Sequence, residues 1–420
     1  MKLITLENKL RIILDRRNDL RSATLGVWVA AGSRYETKEN SGISHFIEHI
    51  VFKGSEKRNA FEIARGMDSI GAQVNAYTTK EYTFFYTKAL DYQILSAADI
   101  LLDMIRNPRL DEKDIETEKG VILEEIAMCE DDPSDVCYES NERSIFSGSS
   151  LSLDILGTRE SVSSFSKETF SSFMEKFYVP ERMVIGISGN FGEEEIVEKI
   201  NEYFSCCKDT GNELKASDVP FKKEYSLIKR SFEQNHLMLS FKGVGIKHED
   251  LYSLQLCCFI LGSGSSSRLN QRIREQLGLV YDISAWLGRY NGGGYIAVSL
   301  SLNEASEEMA LKETCKIISQ LKNDISEKEL AAAKEKLTAS LIMAREQPQS
   351  KLSSFGYTQL MLSEFISDDK IIEEIRAVTL EKVKEDAEKY FDLKKASFTA
   401  VGKVKEKDFY KRIIEGEKDE

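Results

Sequence analysis

The sequence predicts an α+β protein with two tandem duplicated domains, each a mostly antiparallel sheet packed with helices. Three observations support this fold class. The chain has 420 residues, which is enough for two to three domains at about 150 residues each. Strand-like and helix-like segments follow one another in groups and do not alternate one by one. The two halves of the chain also resemble each other.

The elements of the first half follow from hydrophobic periodicity. Alternating apolar residues indicate strands, and apolar residues spaced by three and four from Ile43 to Val51 indicate a buried helix. In order, we predict strands at residues 10–14 and 24–30, a helix from about residue 41, strands at 74–79 and 83–89, and helices at 94–105 and 111–128.

Two separate pairs of similar segments indicate an internal duplication. The segment RMVIGISGNFGEEEI resembles ASFTAVGKVKEKDF, and the alignment places Gly189 opposite Gly402. Residues 110–126 resemble residues 325–341. Because the offset along the chain is nearly the same for both pairs of segments, the halves are predicted to share one fold.

The polar stretch at residues 208–223 is predicted to join the two domains, because linkers are typically polar and contain glycine and proline. The boundary is placed near residue 215. This gives an N-terminal domain at 1–214 and a homologous C-terminal domain at 215–420.

Composition restricts the class of protein. With 41% hydrophobic and 30% charged residues, the chain is typical of a folded protein, and no apolar run is long enough to span a membrane. The net charge of -13 repels phosphate backbones, so nucleic acid is not an expected partner. The first twenty residues lack the features of a secretory signal, so we expect a cytoplasmic protein.

Two of the four histidines lie within the five residues HFIEH. On a helix that turns about 100° per residue, His45, Glu48 and His49 share one face. Two imidazoles four residues apart can bind one zinc ion, and a carboxylate beside them can accept a proton from water. This spacing is the inverted zinc-protease motif HxxEH. The alternative is a pair of core histidines with no metal.

A catalytic zinc site usually needs a third protein ligand. Glu118 and Glu125 are seven residues apart on the predicted helix 111–128 and share a face with apolar residues. Carboxylates on a buried face need partners, which a zinc ion and a histidine N–H would supply. The alternative is a solvated helix face.

The chain resembles the pitrilysin and mitochondrial processing peptidase family of zinc metallopeptidases, in which HxxEH is followed further along the chain by a ligand glutamate. Glu125 follows His49 at the distance that this family pattern requires. Segments similar to the family occur in the family's order: GSRYE (32–36), GISHFIEHIVFKGS (42–55), GAQVNAYTTKEYTFFY (71–86), VILEEI (121–126), GSGSSSRL (262–269) and REQLGLVY (274–281).

This resemblance implies a role for each residue of the site. His45, His49 and Glu125 resemble the zinc ligands, Glu48 the general base and Glu118 a carboxylate that supports a ligand. Glu124 is the rival to Glu125, although it lies about 100° from Glu118 around the helix.

Substrate residues follow from the same resemblance. Asn75 and Ala76 belong to the segment 75–78 (NAYT), a strand that in this family offers a free edge to an extended peptide. The alternative for this segment is an internal strand. Arg274 and Tyr281 resemble the family's Arg/Tyr pair that reaches the substrate from the second domain, with Arg268 and Arg272 as alternative arginines. The alternative for this segment is a surface helix followed by a strand.

The C-terminal domain is predicted to lack the metal site. The repeat offset places the HFIEH positions near Leu256–Ile260 (LCCFI) and the Glu125 position near Ser340, and neither carries zinc ligands. One domain is therefore expected to bind the metal, while the other forms a wall beside the substrate.

The resemblance implies a zinc-dependent endopeptidase that cleaves short or unfolded peptides inside a chamber, with a glutamate as general base. Family members close this chamber from four such domains, so a second chain is expected to complete it. The expected assembly is a homodimer, or a heterodimer with a homologous subunit. A non-catalytic or regulatory subunit of a heterodimeric processing peptidase is the alternative function.

Overall fold

The protein is described by a computed structural model that covers residues 1–212, 214 and 217–416. The strands are β1 (Lys2–Thr5), β2 (Arg11–Arg16), β3 (Ser22–Val29), β4 (Gln73–Thr78), β5 (Thr83–Leu90), β6 (Met183–Gly189), β7 (Tyr225–Lys229), β8 (Asn235–Gly243), β9 (Asp282–Tyr290), β10 (Gly293–Leu302) and β11 (Ser397–Gly402).

The α-helices of the first half are α1 (Ile43–Ile50), α2 (Ala60–Ser69), α3 (Ile94–Arg106), α4 (Glu112–Asp131), α5 (Pro133–Ile145), α6 (Arg159–Ser164), α7 (Lys167–Phe177) and α8 (Glu193–Phe204). Those of the second half are α9 (Leu251–Gly262), α10 (Glu307–Asp324), α11 (Glu327–Glu346), α12 (Pro348–Leu362), α13 (Asp368–Ala377), α14 (Leu380–Tyr390) and α15 (Lys407–Glu415). Every element predicted for the first half is present, with ends that shift by a few residues.

The chain forms two compact units, and each combines three stretches of sequence. The first unit contains Met1–Ile126, Leu153–Lys215 and Met343–Ile366, and the second contains Ala127–Ser152, Ala216–Ile342 and Ser367–Glu420. Helix α12 therefore belongs to the first unit and α5 to the second. The predicted boundary near residue 215 falls at positions outside the described residues, and the division into 1–214 and 215–420 stays a prediction.

Each unit contains one mixed sheet, and the two sheets share one topology except that the first has β1 as an additional edge strand. The strand orders are β1-β2-β6-β3-β5-β4 in the first unit and β7-β11-β8-β10-β9 in the second. All neighbouring strands are antiparallel except β2–β6 and β7–β11, which occupy equivalent positions. The predicted α+β fold with two duplicated, mostly antiparallel domains is confirmed.

The glycines that identified the repeat have the same structural role in both units. Gly189 ends β6 with φ 131°, and Gly402 ends β11 with φ 127°. A β-carbon on Gly189 would lie 2.3 Å from the carbonyl oxygen of Ser22. Glycine is therefore required at this strand end by both backbone conformation and close packing.

Both faces of the first sheet are covered. The main core lies on one face and includes the buried Phe46 and Ile47 of α1. On the other face Trp28 is fully buried and stacks on Phe84 at 4.3 Å. Helix α12 approaches this pair so closely that a β-carbon on Gly356 would lie 2.5 Å from the Trp28 ring. The sheet is thus fixed from both sides, as a scaffold for a site needs.

In the described part of the chain, no helix is both long enough and apolar enough to cross a membrane.

Candidate metal centre

Helix α1 carries the HFIEH segment and is held firmly in the first unit. Its apolar residues Ile43, Phe46, Ile47 and Ile50 are buried in the core, as the periodicity predicted. Gly42 precedes the helix with φ 92°, and a β-carbon there would lie 2.4 Å from the carbonyl oxygen of Leu156. The backbone N–H groups of Gly42 and Ser44 donate to the Glu36 carboxylate at 2.7 and 2.9 Å. Glu36 therefore satisfies the helix N-terminus from outside the helix.

The two histidines of α1 lie side by side. Their ring centroids are 4.6 Å apart, as expected for side chains four residues apart on one helix face. Burial lowers the pKa of His45 to about 3, and the neighbouring His49 adds to this effect. His45 is therefore a neutral imidazole at ordinary pH, the form that binds metal ions.

Helix α4 brings Glu125 to the same point. Its Oε2 atom is 3.7 Å from His45 Nε2 and also 3.7 Å from His49 Nε2. Ligand atoms of the three residues all lie within 4.8 Å of one another, and no other such group of three occurs among the described residues. Glu124, the rival on the same helix, is exposed and is not part of this group.

The spacing of these atoms fits a zinc ion. A distance of 3.7 Å is too long for a hydrogen bond, so the three groups face one another without direct bonds. Ligands at about 2.1 Å from a tetrahedral centre are about 3.4 Å apart, close to the observed spacing. Two imidazoles and one carboxylate also match the ligand types of catalytic zinc sites.

Glu118 supports His49 from the side away from Glu125. Its Oε1 atom is 2.9 Å from His49 Nδ1, and its Oε2 atom is 2.6 Å from Lys53 Nζ. Since a carboxylate accepts, Nδ1 is the nitrogen that carries the proton, and the Nε2 lone pair is free to face Glu125. Glu118 is only 2% exposed, so it forms these contacts with little competition from water.

The charges of these residues depend on one another. Burial acts to lower the pKa of His49, but the hydrogen bond with Glu118 and the charge of Glu125 outweigh it and raise that pKa. Burial likewise acts to raise the pKa of Glu118, but His49 and Lys53 hold it below its ordinary value. The pair thus combines a ring that donates a hydrogen bond from Nδ1 with an ionised carboxylate.

Glu48 lies on the same helix and has a different partner. Its Oε2 atom accepts a hydrogen bond of 2.5 Å from Thr78 Oγ1 at the end of β4. Burial raises the pKa of Glu48, and the hydrogen bond from Thr78 offsets part of this increase. A carboxylate with a raised pKa beside a metal centre is suited to accept and return a proton.

Asn75 and Ala76 lie on β4, which is an edge strand. Among the described residues β4 pairs only with β5, with Asn75 opposite Tyr86 and Ala76 opposite Phe85. The Asn75 side chain accepts a hydrogen bond of 2.8 Å from the Ala76 N–H. The outer edge of β4 is therefore available to a further strand.

Arg274 and Tyr281 belong to the second unit and are exposed, Tyr281 to 73%. Arg274 lies in the short helical segment Asn270–Gln276, and Tyr281 directly precedes β9. The rival arginines are engaged within their unit, Arg268 with Glu329 at 2.7 Å and Arg272 with Glu313 at 3.1 Å. No described side chain forms an ion pair with Arg274. Their role in substrate binding stays a prediction.

The sequence did not predict the contacts of three residues that support the site: Glu36, Lys53 and Thr78. All three lie inside segments that carried the family resemblance, but their partners come from other elements. Only the fold brings Thr78 of β4 against Glu48 of α1, so sequence spacing gave no signal for this contact.

Comparison with known proteins identifies the family of the chain. Residues 11–159 match the insulinase family, peptidase family M16, and residues 164–337 match the inactive domain of peptidase M16. The uncharacterized zinc protease YmxG of Bacillus subtilis is 37% identical over 385 residues, which cover 91% of this chain and 94% of that protein. An uncharacterized zinc protease of Rickettsia felis is 34% identical over 387 residues, which cover 92% of this chain and 94% of that protein.

Solved structures share the fold at low sequence identity. A peptidase M16 inactive domain from Pseudomonas fluorescens superposes with a TM-score of 0.89 at 18% identity, covering 96% of this chain and 98% of that one. A protease from Helicobacter pylori gives a TM-score of 0.85 at 18% identity, covering 95% and 98% of the two chains. Because the Bacillus and Rickettsia proteins match over nearly their full lengths, this chain belongs to peptidase family M16, the insulinase family.

Proposed function

We propose that this protein is a zinc-dependent endopeptidase that cleaves short or unfolded peptides. The observation that carries the proposal is the convergence of His45 Nε2, His49 Nε2 and Glu125 Oε2 beside the Glu48 carboxylate. The zinc proteases among its relatives support the choice of metal.

The three ligands would hold zinc, and Glu118 would fix His49 through its Nδ1–H. When bound, zinc supplies Lewis-acid chemistry that polarises a peptide carbonyl and makes water more acidic. Glu48 removes the proton from the attacking water and then delivers it to the amine of the departing peptide. Its raised pKa suits both steps, because the same carboxyl must take and release a proton near neutral pH.

The free edge of β4 would bind the substrate. A peptide that adds beside Asn75 and Ala76 pairs through its main chain, which gives affinity without requiring a particular sequence. A peptide must be extended to pair in this way, and this favours short or unfolded substrates. Arg274, which has no ion-pair partner among the described residues, and the exposed Tyr281 would bind the substrate from the second unit.

The proposed assembly is a homodimer, with a heterodimer formed with a homologous subunit as the alternative. Each chain holds one complete ligand set among its described residues, so a homodimer would contain every group that the reaction needs.

The test is digestion of an unbiased peptide mixture, followed by mass spectrometry. Wild-type protein with zinc is expected to cleave, and Glu48→Gln is expected to keep the metal and lose cleavage. Glu124→Gln is the matched control on an exposed glutamate and is expected to behave as wild type. Full activity of Glu48→Gln, or no cleavage by zinc-loaded wild type both alone and with a homologous subunit, would overturn the proposal.

A further inference from the structure

Thr78 is the last residue of β4 and lies opposite Thr83, the first residue of β5. Its side chain is half-buried and its hydroxyl is 2.5 Å from Glu48 Oε2. The two hydroxyls of this cross-strand pair are 3.3 Å apart. Among the described residues, Thr78 is therefore the one whose side chain forms a hydrogen bond with the Glu48 carboxylate.

The direction of these hydrogen bonds follows from counting protons. Thr83 has one hydroxyl proton, and it donates this proton to the backbone carbonyl of Ala31 at 2.9 Å, an atom that can only accept. Thr83 is therefore not a donor to Thr78. Thr78 also has one proton, and the ionised carboxylate at 2.5 Å is the stronger and closer acceptor. Thr78 therefore donates its hydroxyl proton in a hydrogen bond to Glu48 Oε2.

This bond makes the two oxygens of Glu48 different. Oε2 is occupied by a donor, whereas Oε1 has no hydrogen-bond partner among the described residues. Without the donor, the flexible glutamate side chain would be free to exchange its oxygens and to leave its position. A threonine on a paired strand is a rigid donor, because its β-branched side chain has few rotamers.

We infer that Thr78 is a positioning residue for the general base: its hydroxyl holds Glu48 Oε2, so that Oε1 is the atom that takes the proton from water and returns it to the leaving amine. The inference rests on the proposed peptidase function. It also links the substrate edge to the base, because Thr78 lies on the same strand as Asn75 and Ala76.

The experiment compares Thr78→Val, which keeps the side-chain shape but removes the hydroxyl, with Thr78→Ser, which keeps the hydroxyl. Thr87→Val is the matched control. Thr87 lies on β5 and its hydroxyl donates to the carbonyl of Gln73 on β4 at 2.9 Å, away from Glu48. All proteins are assayed for zinc content, kcat and KM on one peptide.

Thr78→Val is expected to keep one zinc and an unchanged KM while kcat falls roughly 10- to 100-fold, the loss typical of a misplaced catalytic group. Thr78→Ser is expected to stay within about threefold of wild type, and so is Thr87→Val. In crystal structures of the metal-free proteins, Glu48 is expected to have one conformation in wild type and Thr78→Ser, and several in Thr78→Val.

A Thr78→Val protein with wild-type kcat and a single Glu48 conformation overturns the inference. Equal losses of kcat in Thr78→Val and Thr87→Val also overturn it, because they indicate general damage to the strand pair. If wild type itself has no zinc-dependent activity, the proposed function fails instead, while the conformation of Glu48 in the crystals still tests the contact.

Discussion

Replacement of Glu118 by glutamine tests how helix α4 supports the proposed metal centre. Glu118 is almost completely buried and contacts two groups, His49 Nδ1 at 2.9 Å and Lys53 Nζ at 2.6 Å. The glutamine has nearly the same shape, but it loses the negative charge that stabilises the Nδ1–H of the ring. His49 then becomes a weaker ligand, and the charge of Lys53 is no longer balanced at this position.

Loss of a carboxylate partner behind a histidine ligand typically weakens metal affinity 10- to 100-fold, which corresponds to about 1.4 to 2.7 kcal/mol. We expect this range for Glu118→Gln, because the contact is short and shielded from water. Zinc affinity is measured by competition with a chromophoric chelator on the metal-free protein. Glu124→Gln on the same helix is the control, since Glu124 is exposed and outside the ligand group.

The expected order of zinc affinity is wild type equal to Glu124→Gln, then Glu118→Gln, then Glu125→Gln, which loses a ligand. A Glu118→Gln protein that binds zinc as tightly as Glu124→Gln would show that the contact with His49 does not tune the ligand. An equal loss in Glu124→Gln and Glu125→Gln would refute the assignment of Glu125 as the ligand.

Three further predictions concern substrate, assembly and pH. A peptide must pair with the edge of β4, so an unfolded protein should be cleaved much faster than its stably folded form, and equal rates would contradict strand addition. Light scattering should give a mass near twice 47.7 kDa for a homodimer. A fully active monomer would exclude a shared chamber, and an inactive monomer activated by another subunit would establish the heterodimer. Burial raises the pKa of Glu36 from 4.5 to about 7. The stability that the buried, protonated carboxyl contributes is therefore complete below pH 4.5 and is lost as the pH rises through about 7. In urea unfolding of the metal-free proteins, the free energy of unfolding of wild type should therefore fall by up to about 3 kcal/mol relative to that of Glu36→Gln between pH 4.5 and pH 8. Parallel pH curves for the two proteins would contradict this.

Much of the site follows from local rules. His45, Glu48 and His49 are four residues or fewer apart on a helix, so their common face follows from helix geometry. The same geometry separates Glu125 from Glu124 by about 100°, and the structure brings only Glu125 to the histidines. The approach of α4 to α1, however, came from the family resemblance, because no local rule connects residues so far apart in the sequence.

Other features depend on tertiary packing and had no local signal. No local pattern indicates that α12 belongs to the first unit and packs Gly356 against Trp28. The assignment of α5 to the second unit also has no local signal in the sequence. Thr78 resembles any other strand residue in sequence, and only the position of β4 beside α1 gives it a partner in Glu48.

The proposed zinc-dependent mechanism is tested most directly by a zinc titration of the metal-free protein, with peptide hydrolysis measured at each addition. Hydrolysis is expected to rise in proportion to bound zinc and to stop rising at one ion per chain. Glu48→Gln should bind the same single ion without hydrolysis. Hydrolysis that does not depend on zinc, or that persists in zinc-loaded Glu48→Gln, would contradict the assignment of His45, His49 and Glu125 as ligands and Glu48 as base.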